Sequence, residues 1–206
     1  YLETIADNLD SFDSRWHKPI EQMRSQSQRM ENIVRDLLVL SSIETRAAPR
    51  AQEKIDLGEL AQEIKGHTQE IMAEKQHNFS INCPNEIILL GQRSELYSAL
   101  SNLVINAAKY TPAGGMIELR AALDSTGVKI EVEDNGLGIE SHHIPRLTER
   151  FYRVDPNRSA ESGGTGLGLA IVKHILARHD SELEVKSTPR KGSVFGCHIP
   201  RERVMD

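Results

Sequence analysis

The spacing of apolar residues changes character once along these 206 residues, and that change constrains the fold more than any other feature. Before about residue 46 the apolar positions recur at steps of three and four, which paints a stripe along a helix. Leu2, Ile5, Leu9 and Phe12 form one such stripe. Asp13 and Ser14 interrupt it, Pro19 suits a first helical turn, and a second helix is expected to run to about Thr45. Its seam sets Met23, Met30 and Leu37 in one heptad position and Gln26, Ile33 and Leu40 in the other. A seam of this kind needs a partner. The spacing predicts a helical hairpin over 1–45 that dimerises into a four-helix bundle; the alternative is a hairpin packed on the chain's own globular part.

Residues 46–54, with Ala-Ala-Pro and mixed charges, read as a linker, and 55–206 as a separate domain. There the pattern alternates. Short strands are expected at Ile55–Leu57, Phe79–Ile81 and Ile87–Leu90, with helices at Gly58 to about Lys75 and Arg93–Lys109. Met116–Leu123 and Val128–Glu133 form a hairpin through a turn from Asp124 to Gly127. A polar stretch holding Pro145 and Pro156 leads to a helix from about Leu167 to Arg178. Strands at Glu182–Ser187 and Ser193–Ile199 then close the chain around the Pro189–Gly192 turn. Strands gathered with helices on one side predict an α+β fold, a two-layer α/β sandwich.

Hydrophobic residues at 38% and charged residues at 27% are ordinary for a folded globular chain. A formal charge of −5 disfavours a broad nucleic-acid or anionic-membrane surface, because both repel net negative charge. Cys83 and Cys197 lack metal-ligand spacing and are expected to be buried, reduced thiols. No run approaches the ~20 apolar residues of a membrane span, so no membrane contact is expected from this stretch.

Four segments could carry chemistry. In Asn102-Leu-Val-Ile-Asn106-Ala-Ala-Lys109-Tyr110-Thr-Pro112, the residues Asn102, Asn106 and Lys109 share one helical face. Amide oxygens are hard ligands suited to Mg²⁺ and a lysine can neutralise phosphate, although a buried polar ladder has the same spacing. Asp134-Asn135-Gly136-Leu137-Gly138-Ile139 ends a strand. Its glycines let backbone approach a flat ligand and its carboxylate can accept from an exocyclic amine, while a plain turn explains it equally. Gly163-Gly164-Thr165-Gly166-Leu167-Gly168-Leu169 runs into an apolar helix whose first N–H groups could receive phosphate oxygens. It is neither a Walker loop nor a dinucleotide fingerprint. Between the last two, Glu149-Arg150-Phe151-Tyr152-Arg153-Val154-Asp155 could fold over a ligand as a lid, with an arginine reaching a terminal phosphate, or be a surface loop pinned by Phe151.

Their conjunction, in this order, resembles the N, G1, F and G2 boxes of the sensor histidine kinase ATP-binding domain, of the superfamily that includes gyrase and MutL. The wording of His143–Asp155 and Gly166–His174 looks particularly like that of phosphate-regulon sensor kinases. The resemblance covers essentially the whole chain and implies the Bergerat (GHKL) fold with ATP and Mg²⁺ as cofactors. It implies that Asn106 holds Mg²⁺ with Asn102 assisting, and that Lys109 and Tyr110 contact phosphate and ribose or base. Asp134 would read the adenine amine, with Gly136, Gly138 and Ile139 beside the ring. Tyr152 and Arg153 would belong to the lid, Arg153 meeting the γ-phosphate, while Gly164, Thr165, Gly166, Leu167 and Gly168 line the phosphates. Gly192–Phe195 would be a structural strand near the base.

Two departures follow from the same resemblance. The superfamily's ATPases place a glutamate one helical turn before the metal-binding asparagine, to activate water; Asn102 stands there and an amide cannot accept that proton. The acceptor-histidine motif, Ser-His-Glu-Leu-Arg-Thr-Pro, is not in the sequence. His17 lacks its context, and His142 and His143 are expected to be surface groups. The implied reaction is transfer of the ATP γ-phosphoryl to a histidine outside this stretch, then to an aspartate of a response regulator. The implied setting is a homodimer on the cytoplasmic side of a bacterial inner membrane. A GHKL-type ATPase and a non-enzymatic dimerisation or partner-docking module are the rival readings.

Overall fold

The computed structural model describes residues 16–45, 52–84, 86–155 and 164–205. The expected first helix over Tyr1–Phe12, its break, and most of the linker lie outside these residues. Among the described residues the first element is α1 (His17–Thr45), followed by β1 (Glu53–Asp56), α2 (Leu57–Glu74), β2 (Asn78–Asn82), β3 (Ile88–Gly91) and α3 (Arg93–Tyr110). The hairpin β4 (Met116–Leu123) and β5 (Gly127–Asp134) comes next, then a 3-10 turn at Ser141–Arg146. The chain ends with α4 (Gly168–Arg178), β6 (Glu184–Thr188), β7 (Gly192–Pro200) and a two-residue β8 (Val204–Met205).

Five strands form the main sheet in the order β2-β4-β5-β7-β6, and β1-β3-β8 form a small second sheet. Ile117, Leu119 and Ala121 alternate with solvent-side residues along β4, as do Val128, Ile130 and Val132 along β5, so each strand presents one apolar face. Leu100, Leu103, Val104 and Ala107 of α3 join that face in one core, with Ile171, Val172 and Ile175 of α4. The other sheet face is polar: Arg120 bridges Glu118, Glu131 and Glu133 across β4 and β5. Helices on one side only is the two-layer α+β arrangement expected from the pattern.

Three local expectations need correction. Leu57 begins α2 instead of ending a strand, because the Asp56 carboxylate accepts from the Glu59 N–H at 2.9 Å and caps the helix. Glu53 and Lys54, placed in the linker, belong to β1 and pair with Gly91 and Leu90. The heptad seam of α1 is split. Leu40 is 2% exposed and, with Ile43, joins the globular core, whereas Met23, Met30 and Leu37 stay exposed. The C-terminal half of α1 therefore packs on the chain's own domain, the alternative the sequence left open. Cys197 is buried as expected, but Cys83 is only partly so; both are free, and burial pushes their thiols up to about 12 and about 11.

Candidate functional site

The polar face of α3 meets the start of α4. The Asn102 amide donates to the Ser98 carbonyl one turn back at 2.8 Å, which turns its oxygen toward Gly168; that oxygen lies 2.6 Å from where a Gly168 side chain would begin. A side chain at Gly168 would push the Asn102 amide out of this position. Asn106, one turn on, is half-buried and its amide has no hydrogen-bond partner among the described residues. Lys109 follows in the last turn. Burial pulls its ammonium below the usual lysine range, the Asp36 carboxylate of α1 opposes that pull, and the nearby Arg153 and Lys75 cations reinforce it. Lys75 is otherwise committed, because its Nζ donates to the Ala108 and Lys109 carbonyls at 2.9 Å and caps the end of α3.

Arg153 and the glycine-rich segment approach from the other side. The Phe151 N–H donates to the Gly166 carbonyl at 2.9 Å, so the two ends of the intervening segment are clamped together. Both residues have positive φ, 63° and 76°, and any side chain on Gly166 would strike the Phe151 backbone. Only glycine suits that position. Beyond the clamp, Arg153 Nη2 sits 3.8 Å from a side-chain position at Gly164. Arg153 Nε and Nη2 are buried with no hydrogen-bond partner among the described residues. Buried guanidinium N–H groups left unpaired are costly, which points to an anion as their partner. Thr165 Oγ1 donates to Asp36 at 2.7 Å and accepts from the Leu167 N–H at 3.2 Å. Leu167 is fully buried, so only its backbone can serve a ligand. No side chain caps α4, which leaves its first N–H groups and the positive end of its dipole facing the same space.

A second cluster lies at the C-terminal end of α3. Asp134, 7% exposed at the end of β5, accepts from the Gly136 N–H at 2.8 Å and from the Ser193 backbone of β7, its partner in the ladder. Burial raises its carboxyl above the usual range despite those two N–H groups. A side chain on Gly136 would meet the Tyr110 carbonyl, the Asp134 carboxylate and Thr111 Oγ1, so the backbone passes there at the closest approach glycine allows. The Leu137 N–H donates to the Tyr110 carbonyl at 3.2 Å, tying the segment to α3. Lys109 and Tyr110 are adjacent, so the end of α3 joins the carboxylate corner to the cationic one.

Other expected site residues are engaged elsewhere. Gly138 packs on the Thr188 carbonyl, and the Ile139 N–H donates to Ser187 Oγ at 2.8 Å; both fasten the segment to the end of β6. The Tyr152 hydroxyl lies 2.6 Å from His143 Nδ1, and Arg146 stacks 4.2 Å from the centre of its ring. Tyr152 thus anchors the segment that leads to Arg153, and His143 is half-buried instead of the surface group expected. Asp36 and Thr111 had no expected site role, and Ser193 only a place in a structural strand near the base. Ser193 faces Asp134 only through strand pairing, and Asp36 meets Thr165 across 129 residues.

Similarities to known proteins fall on this same region. Residues 91–203 match the family described as "Histidine kinase-, DNA gyrase B-, and HSP90-like ATPase". Over 206 residues the chain is 44% identical to the phosphate regulon sensor protein PhoR of Pseudomonas aeruginosa, covering 100% of this chain and 46% of that protein. It is 42% identical over 205 residues to PhoR of Haemophilus influenzae, covering 48% of it. The chain thus spans about half the length of the curated relatives it matches. The crystal structure of full-length ShkA in complex with AMPPNP superposes with a TM-score of 0.74 at 22% identity, over 92% of this chain and 40% of that one, which is a likeness of fold. With more than half of the chain matched and both residue clusters inside that stretch, it belongs to the histidine kinase-, DNA gyrase B- and HSP90-like ATPase family.

Proposed function

We propose that this chain is the ATP-binding catalytic portion of a sensor histidine kinase, holding Mg-ATP between α3 and α4. The two buried Arg153 nitrogens, Nε and Nη2, unpartnered among the described residues, carry this reading, because their N–H groups fit the terminal phosphate of a nucleotide. Asp134 would accept from the adenine amine, and Tyr110 would line the base. Lys109 and the bare N–H groups of Gly168 and its neighbours would hold the phosphates. The free Asn106 amide oxygen fits a hard divalent cation, with Asn102 positioned behind it. Magnesium, when bound there, would neutralise the phosphates and orient the γ-phosphoryl. ATP likewise fits the match of fold to a structure described with AMPPNP.

Asn102 favours kinase over hydrolase. Its amide is held by Ser98 and pressed against Gly168, and it has no basic lone pair with which to take a proton from water. The γ-phosphoryl is thereby left for an imidazole, and from it for an aspartate of a response regulator. The relatives are named phosphate regulon sensor proteins, which supports regulation by phosphate; the two transfers and a homodimeric parent belong to the kinase reading itself. Their bacterial sources fit a bacterial parent, and a membrane-anchored parent whose cytoplasmic side carries this portion belongs to the same reading; no helix among the described residues is long and apolar enough to cross a membrane. The exposed Met23, Met30 and Leu37 would be the part of α1 available to a second copy. Incubation of these 206 residues with Mg-ATP labelled at the γ-phosphate tests the assignment. Saturable ATP and ADP binding, slow phosphate release and no self-labelling are expected. Stoichiometric acid-labile phosphohistidine, or steady turnover abolished by Asn106→Ala, would contradict it.

A further inference from the structure

Asp36 is an acidic residue on the one face of α1 that packs against the globular domain: Asp36, Leu40 and Ile43 follow at steps of four and three, and the last two are buried in its core. Its carboxylate accepts from Thr165 Oγ1 at 2.7 Å, two residues before the uncapped start of α4. It is also near enough to Lys109 to favour the charged ammonium against burial. Lys109 and the α4 N-terminus are groups the proposed function assigns to phosphate, and Thr165, which accepts from the Leu167 N–H, stands at the start of that helix. A carboxylate is a smaller anion with the same preferences: it accepts hydrogen bonds and seeks positive charge and helix N-termini.

We propose that Asp36 is an internal competitor for the terminal phosphates, so that docking of α1 on the domain and binding of a nucleoside triphosphate oppose one another. The apolar contacts of Leu40 and Ile43 bring the carboxylate to Thr165 and Lys109, and a triphosphate must displace it or share those groups with it at the cost of like-charge repulsion. Coupling of this kind is reciprocal: whatever pulls α1 away from the domain would tighten nucleotide binding, and nucleotide would loosen α1. The inference rests on the nucleotide reading above.

Asp36→Asn separates charge from shape, since the amide oxygen can still accept from Thr165. Calorimetric titration of the full chain with Mg-ATP should give roughly three- to tenfold tighter binding for Asp36→Asn than for the unaltered chain. AMP, which lacks the β- and γ-phosphates, should bind both alike. Weaker Mg-ATP binding would overturn the proposal and make Asp36 a helper in holding the metal or phosphates. Equal binding would overturn it too. Amide hydrogen exchange without nucleotide reads the contact itself: Gly164–Leu169 should exchange faster in Asp36→Ala than in the unaltered chain, and equal exchange would contradict the contact. If neither protein bound any nucleotide while this exchange difference persisted, the nucleotide reading would fail and the α1 contact would stand.

Discussion

The two corners joined by the end of α3 are built on opposite principles. At the Asp134 corner the charged and backbone groups are paired within the protein, the carboxylate accepting from Gly136 and Ser193 and the Tyr110 carbonyl from Leu137, and Thr111 Oγ1 is the neutral group left buried without a partner among the described residues. At the Arg153 corner the cations outnumber their partners. Among the described residues, Arg153 has two buried nitrogens and Asn106 an amide without a partner, Lys109 is held below its usual range, and no side chain caps α4. A paired corner is rigid before any ligand arrives, and it can discriminate shapes. An unpaired corner lowers stability until charge arrives, and it binds charge strongly with little regard to what is attached. On the proposed reading, selectivity for the base and affinity for the phosphates thus fall to two corners that meet at the end of one helix.

The largest expected effect removes the paired corner. Asp134→Ala should weaken ATP binding by about 100-fold while leaving GTP binding nearly unchanged, as read by competitive titration. Because burial raises the Asp134 carboxyl, the ATP affinity of the unaltered chain should fall on acidification at a higher pH than an ordinary aspartate would dictate. Only the ionised form accepts the amine in full, so affinity is retained above the raised pKa and lost below it. A variant that kept its preference for ATP would break the comparison at its stronger end.

Arg153→Met should act in the opposite sense on stability. Mg-ATP and Mg-ADP binding should weaken by about tenfold, while the thermal midpoint holds or rises by a few degrees because a buried unpaired charge is gone. A lower midpoint together with unaltered affinity would show the guanidinium to be structural. Gly166→Ala tests the clamp that aims Arg153. With φ at 76° and the Phe151 backbone in the way, it should cost about 1–2 kcal/mol in chemical denaturation and weaken ATP more than adenosine.

Much of this was readable from residue order. β4, β5, α3 and α4 lie within a residue or two of their expected bounds, because each combines a long periodic run with clear turn residues. The four motifs were legible for the same local reason. What was not legible depends on distance along the chain. Asp36 is an ordinary helical acid until α1 folds back to within 2.7 Å of Thr165, and the split of the α1 seam shows only once Leu40 finds the core. Gly138 and Tyr152 illustrate the converse. A glycine and an aromatic in a ligand-binding motif pack mainly on Thr188 and on His143 and Arg146, which no pattern of nearest neighbours reveals. β8 is two residues long, too short for any period.

The smallest effect separates both corners from the scaffold beneath them. His179 is 2% exposed at the far end of α4, where its Nε2 accepts from the Gln92 N–H at 3.1 Å and its Nδ1 lies 2.8 Å from the Ile175 carbonyl. Burial lowers its pKa, so the folded protein resists protonation that the unfolded chain accepts. Stability should therefore be fully present above the ordinary histidine pKa of about 6.5 and decline as pH falls below it, by at most ~1.4 kcal/mol per pH unit. His179→Gln should flatten that slope in denaturation curves without altering ATP selectivity at neutral pH.

The convergence of both corners on one nucleotide is tested most directly by a crystal structure of this chain with magnesium and a non-hydrolysable ATP analogue. The account predicts the adenine amine within hydrogen-bond distance of the Asp134 carboxylate, and the γ-phosphate within hydrogen-bond distance of the Arg153 guanidinium, with Asn106 at the metal. A nucleotide seated elsewhere, or one whose base meets Asp134 while its phosphates turn away from α3 and α4, would contradict it.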